Sequence, residues 1–142
     1  KDLGVVVRLD HHFDLELGRR LGIDRKRTEA SRRVVSLDAN AVDFDYGFAM
    51  TPFGNLHGGC LSAFVDHCLG VVFYPVIPKG AWVATTEFKL NLLRPVSGGV
   101  CVATAEIISL TKRSGVARID ITNDGAAVCA AQGTVTIVAP RG

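Results

Sequence analysis

The stretch from Gly54 to Pro75 constrains this chain most. It reads Gly54-Asn55-Leu56-His57-Gly58-Gly59, then Cys60-Leu61-Ser62-Ala63-Phe64-Val65-Asp66-His67-Cys68-Leu69-Gly70-Val71-Val72-Phe73-Tyr74, and meets Pro75. A glycine-rich turn feeds a helix of about four turns. Proline ends that helix because it lacks an N–H and clashes inside one. The run is apolar nearly all round, the mark of a helix covered on every side. Asp66 in its middle is then expected to be buried, and a buried carboxylate needs a partner, a shifted pKa or a chemical task. At the other end, Gly58 and Gly59 leave first-turn N–H groups bare. These carry the positive end of the helix dipole and can hold a developing oxyanion. One helix therefore offers an oxyanion donor at its tip and a carboxylate at its centre.

The chain of 142 residues is read as one domain, 1–142, large enough to bury its own core. Hydrophobic residues make up 48% and charged residues 21%, a globular rather than a disordered balance. A net charge of +2 gives no argument for nucleic acid as a partner. The basic clusters at Arg19-Arg20 and at Arg25-Lys26-Arg27 with Arg32-Arg33 are expected on a solvated surface or, alternatively, against an anionic group. No apolar run reaches the ~18 residues of a membrane span, and the first residues do not read as a signal peptide. Cys60, Cys68, Cys101 and Cys129 lie in apolar patterns without paired spacing, which predicts reduced core thiols in a cytoplasmic protein. His57, Cys60, His67 and Cys68 do not supply the converging ligands of a zinc site, so no metal is expected.

Residues 1–33 read as a flank of uncertain structure. Within it, Val5 to Leu9 suits a short strand, and Phe13 to Gly22 a short amphipathic helix with its apolar groups at 13, 17 and 21. Ser31 to Leu37 and Ala41 to Ala49 read as extended; Val42, Phe44, Tyr46 and Phe48 alternate with Asp43 and Asp45 in the second. After the helix, the periodicity predicts a β-meander. Its first strand, Trp82 to Leu93, sets Trp82, Ala84, Thr86, Phe88, Leu90 and Leu92 against Thr85, Glu87, Lys89 and Asn91. Pro95 to Gly99 turns, Val100 to Leu110 is the next strand, and Lys112-Arg113-Ser114-Gly115 is a hairpin loop. Val116 to Thr122 follows, and Asn123-Asp124-Gly125 is a strong hairpin signal before Ala126 to Val138. One long helix with four long strands suggests a sheet wrapped round a helix. The sheet's other face still carries apolar residues, which are expected to pack on a second subunit.

At His57-Gly58-Gly59, with Asp66 nine residues after the histidine, the sequence resembles the PaaI-like (phenylacetate-pathway) acyl-CoA thioesterases of the hotdog fold. The Gly-Asn-Leu-His-Gly-Gly turn, the helix, Asp66 and Gly70 carry the resemblance, with Leu92-Leu93-Arg94-Pro95 downstream. It covers roughly residues 34–138, the implied hotdog core. It implies an α+β fold: a long central helix wrapped by a curved antiparallel β-sheet, in homodimers that often pair into homotetramers. It implies hydrolysis of an acyl-CoA with no separate cofactor, CoA being part of the substrate. The implied catalytic acid is Asp66, the oxyanion glycine Gly58, the motif histidine His57, and the hydroxyl residue after the helix Thr85. Family members commonly carry a carbonyl-binding asparagine six residues before the histidine. Here that residue is Thr51, with Asn55 and Gly59 nearby as further candidate substrate contacts.

Distance then argues for a shared site. Gly58 and Asp66 are eight residues apart, about 12 Å along a helix, whereas reacting groups must approach to about 3–3.5 Å. If both act, they come from different subunits of a dimer with two equivalent sites. Asp66 would serve as general base or as nucleophile, Thr85 would orient it, and His57 would shape the turn or, alternatively, move a proton. Arg94, Lys112 and Arg113 are candidates for the CoA phosphates; Leu61, Val65, Phe73 and Trp82 are candidates for the acyl pocket. Two other readings remain. One is a hotdog protein that binds acyl-CoA without turnover, kept open by Thr51. The other is an acyl-thioester hydratase or dehydratase, which the nine-residue spacing from His57 to Asp66 argues against.

Overall fold

A buried helical stripe and one six-stranded sheet set the architecture. The computed structural model describes residues 5–8, 32–38 and 50–139; the helix expected at Phe13–Gly22 and the strand expected at Ala41–Ala49 lie outside them. In chain order come β1 (Val5–Arg8), β2 (Arg32–Asp38), α1 (Gly58–Phe73), β3 (Trp82–Leu92), β4 (Val100–Leu110), β5 (Ser114–Asn123) and β6 (Ala126–Val138). The strands form one antiparallel sheet in the order β1-β2-β4-β5-β6-β3. No helix among the described residues is long and apolar enough to cross a membrane.

Helix α1 lies on one face of that sheet. Leu61, Phe64, Val65, Cys68, Leu69, Val72 and Phe73 form its buried stripe, at the three- and four-residue steps of one helical face. The stripe packs on Cys101, Ala103 and Ala105 of β4, Ala117, Ile119 and Ile121 of β5, and Cys129, Ala131 and Val135 of β6. The sheet side is mostly small, and that lets the helix come close. At Gly115 a side chain would run into the ring of Phe73.

The helix is not covered on every side, contrary to the sequence expectation. Gly59, Ala63, Asp66 and His67 are exposed on the face away from the stripe. Composition misleads here because glycine and alanine score as apolar yet bring little area that must leave water. Asp66 is thus a solvated carboxylate, not a buried one.

The three hairpin-linked strands β4, β5 and β6 follow each other as expected. Asp124 and Gly125 at the β5–β6 turn have φ of 49° and 79°, the left-handed pair that a type I′ turn needs. The four-strand meander itself fails: β3 pairs with β6, not with β4. Pro95 to Gly99 therefore carries the chain across rather than closing a hairpin. Val96 pins that crossing, its side chain buried and its carbonyl accepting the Leu56 N–H at 2.6 Å. Alternation shows that a strand exists, not which neighbour it takes.

A bulge interrupts β3. Thr85 pairs with Val135 but Glu87 pairs with Thr134, so Thr86 is an extra residue. Strict alternation would group Thr85 with Glu87, Lys89 and Asn91. The bulge moves Thr85 onto the helix side with Phe88, Leu90 and Leu92, whose register partners Gly133, Ala131 and Cys129 are all buried. The outer face is polar near its centre, rather than the apolar surface expected: Arg118 Nε lies 2.8 Å from Asp120 Oδ2, and Thr134 donates to Glu87 Oε1 at 2.6 Å.

Candidate active site

The start of α1 is built by two short hydrogen bonds to His57. His57 caps it with an extended backbone, φ −65° and ψ 137°, and its Nδ1 accepts the Gly59 N–H at 3.0 Å. The Cys60 N–H donates to the His57 carbonyl at 2.9 Å. What is left is Gly58, whose N–H has no acceptor among the described residues. His57 and Gly59 thus shape the helix end, and Gly58 presents the positive end of the dipole.

Thr51 closes the preceding turn. Its N–H donates to the Asn55 carbonyl at 2.6 Å, its carbonyl accepts the Gly54 N–H at 3.0 Å, and its Oγ1 accepts the Asn55 N–H at 3.3 Å. The side-chain amide of Asn55 is unpartnered among the described residues. It lines a cleft of about 240 Å³ together with Gly58, Leu61, Leu92 and Arg94. Arg94 donates from Nη1 to the Ala127 carbonyl at 2.7 Å, which ties the cleft wall to the β5–β6 hairpin.

Asp66 and Thr85 meet in a second cleft of about 600 Å³, lined also by Ser62, Ala63, Thr86, Glu87 and Phe88. The bulge at Thr86 is what brings Thr85 there. Asp66 has no hydrogen-bond or ion-pair partner among the described residues. Ser62 lies one helical turn before Asp66, a placement the four-residue step encodes; the place of Thr86 depends on the bulge, which no local pattern encodes.

The structure does not bring all the candidates together. The Asn55–Gly58–Arg94 cleft lies by the start of α1 and the end of β3, and the Asp66–Thr85 cleft lies further along both. Lys112 and Arg113 sit exposed on the β4–β5 hairpin, beside the end of α1 where Phe73 meets Gly115. Of the proposed acyl-pocket residues, Leu61 lines a cleft, Val65 and Phe73 are core, and Trp82 is exposed. No disulfide joins Cys60, Cys68, Cys101 and Cys129: burial pushes the thiols of Cys60, Cys101 and Cys129 up, and that of Cys68 up to about 12. Among the described residues no cluster of His, Cys, Asp or Glu is large enough to hold a metal ion.

A model of the thioesterase superfamily matches residues 53–130, more than half of the chain and both clefts. The chain belongs to the thioesterase superfamily. Its fold is the hotdog fold, as the resemblance implied. This thioesterase-superfamily chain is 31% identical over 90 residues to a protein named as an esterase in Haemophilus influenzae. That match covers 63% of this chain and 65% of the other, just under two thirds of its length. It is 29% identical over 104 residues to the 1,4-dihydroxy-2-naphthoyl-CoA hydrolase of Listeria monocytogenes, covering 73% of this chain and 80% of that one. Among solved structures, a thioesterase-named protein of Streptococcus pneumoniae crystallised with coenzyme A aligns with a TM-score of 0.66 at 25% identity, over 79% of this chain and 85% of that one.

Proposed function

We propose that this protein hydrolyses acyl-CoA thioesters in a site shared by two copies of the chain. One observation carries the reading. Gly58, whose N–H has no acceptor among the described residues, and Asp66, whose carboxylate has no partner among them, lie on one helix yet in different clefts. About 12 Å of helix separates them, too far for one thioester to touch both in one copy. Among the described residues β3 is an edge strand, with the Thr85 cleft near one end and the Leu92 cleft at the other. Antiparallel pairing of two such edges brings Asp66 of one copy towards Gly58 of the partner subunit. Two relatives support this reading, one named as a 1,4-dihydroxy-2-naphthoyl-CoA hydrolase and one crystallised with coenzyme A.

In this scheme the Gly58 N–H polarises the thioester carbonyl and holds the oxyanion as it forms. Asp66 takes a proton from the attacking water; the C–O bond forms, the C–S bond breaks, and the proton passes to the departing thiolate. Attack by the Asp66 carboxylate itself, through an anhydride that water then opens, uses the same residue in the same place. Thr85 holds the carboxylate or the water. CoA arrives with the substrate, and no other cofactor takes part.

Release of free thiol from a panel of short, long-chain and aromatic acyl-CoAs tests the reading, with Asp66→Asn beside wild type. Turnover of a panel member by wild type, lost by at least a hundredfold in Asp66→Asn, is the expected result. The binding-only alternative has one observation in its favour: where the family resemblance implies asparagine, Thr51 turns its hydroxyl to its own loop. A wild-type protein that binds acyl-CoA and releases no thiol establishes that alternative.

A further inference from the structure

Not every polar side chain in the Asp66 cleft is available to a substrate. Two are taken up by β6: Thr86 Oγ1 lies 3.2 Å from Thr136 Oγ1, and Glu87 Oε1 accepts from Thr134 at 2.6 Å. The Asp66 carboxylate and the hydroxyls of Thr85 and Ser62 have no partner among the described residues. Ser62 and Asp66 are four residues apart on α1, so they share one face with Cβ atoms roughly 5–6 Å apart. The Cα–Cβ bonds of a helix tilt towards its start, so the carboxylate leans over the hydroxyl. Yet the two do not bond to each other. The gap is wider than one hydrogen bond and, at one helical turn, within the span of two, which is the room one water needs. Water reaches it, since Asp66 is exposed and Ser62 only half-buried.

We propose that Ser62 orients the attacking water against Asp66. The inference rests on the hydrolase reading above and selects its general-base route over the anhydride. The water donates one O–H to the Asp66 carboxylate and the other to Ser62 Oγ. Its lone pairs then point away from both protein oxygens and towards the thioester carbon. As the C–O bond forms, Asp66 takes the proton; the C–S bond breaks, and that proton passes to the departing thiolate. Ser62 neither gains nor loses a proton. A carboxylate alone fixes one O–H and leaves the water free to turn about it. A second fixed acceptor removes that rotation, and reaction is steeply sensitive to such orientation. Thr85, across the cleft on β3, is left to hold the carboxylate.

Steady-state kinetics of wild type, Ser62→Ala and Ser62→Thr test this on the acyl-CoA that wild type turns over fastest. A single turnover in heavy-oxygen water, with enzyme in excess, accompanies them. Ser62→Ala is expected to lower kcat about 10- to 100-fold and leave KM within about threefold, because the lost contact orients the water and does not bind the substrate. Ser62→Thr keeps the hydroxyl and is expected to hold kcat within about threefold of wild type. The heavy oxygen is expected in the acid product and not in Asp66. Circular dichroism checks that both variants fold. A smaller fall in kcat for Ser62→Ala, a Ser62→Thr that falls as far as Ser62→Ala, or label carried into Asp66 overturns the role of Ser62 and leaves the hydrolase reading standing. A wild type that releases no thiol from any acyl-CoA overturns both together.

Discussion

Replacing Gly133 with alanine tests how closely α1, β3 and β6 meet. Gly133 sits on β6 beneath the helix, opposite Phe88. A Cβ there would lie 2.6 Å from Phe88 Cβ, 2.7 Å from Leu69 Cδ1 and 2.8 Å from the Glu87 carbonyl oxygen. Ordinary contact begins near 3.4 Å, so all three neighbours stand in the way at once. Leu69 is fully buried and the other two atoms are fixed by the β3 backbone, so no single rotamer change relieves the overlap. Overpacking of this kind costs about 1–3 kcal/mol, and the upper part of that range applies where backbone must move. Alanine returns roughly 0.5–1 kcal/mol by restricting the unfolded chain. The net loss is about 2 kcal/mol, a fall in Tm of about 4–8 °C for a domain of this size. Calorimetry at one fixed protein concentration measures it, because association makes Tm depend on concentration. The blocked atoms belong to the β3 edge, so the variant should also weaken any dimer built on that edge. A Tm within 1 °C of wild type refutes the close approach and with it the reason for glycine at this position.

Three further perturbations separate loop from site and locate the buried thiol. Thr51→Val removes the acceptor for the Asn55 N–H and should cost about 1 kcal/mol. Asn55→Ala removes an unpartnered amide from the Gly58 cleft, and should lower kcat about tenfold or more while leaving Tm in place. A kcat that Asn55→Ala does not change takes Asn55 out of the site. Cys68 carries a thiol raised from 9.0 to about 12 by burial, so it stabilises the fold fully below pH 9 and loses that contribution as pH rises towards 12. At pH 10 the loss is about 1.4 kcal/mol. Urea unfolding of wild type and Cys68→Ala at pH 8 and pH 10 should show the wild type losing more by that amount, and equal losses would place the thiol outside the core.

The sequence alone determined the parts of this protein that depend on near neighbours. Glycines and Pro75 bound α1, which runs from Gly58 to Phe73 with Tyr74 as its cap, because turn and stop signals act within a few residues. Asn123-Asp124-Gly125 turned β5 into β6 because only a few residue types accept two successive positive φ angles cheaply. The family motif at His57 to Asp66 was legible for the same local reason. What the tertiary structure decided is pairing and exposure. Placing β3 beside β6 required the chain to cross through Val96, a long-range contact that no alternation pattern encodes. One extra residue at Thr86 reversed the facing of Thr85 and put it with Asp66, although a period of two had assigned it to the other side. Asp66 itself stands in water because the sheet covers only one stripe of α1. Thr51 lines neither cleft because its hydroxyl closes a turn whose geometry four letters of sequence do not fix. Local chemistry names the groups; the packing of β3 against β6 and α1 decides which of them can meet.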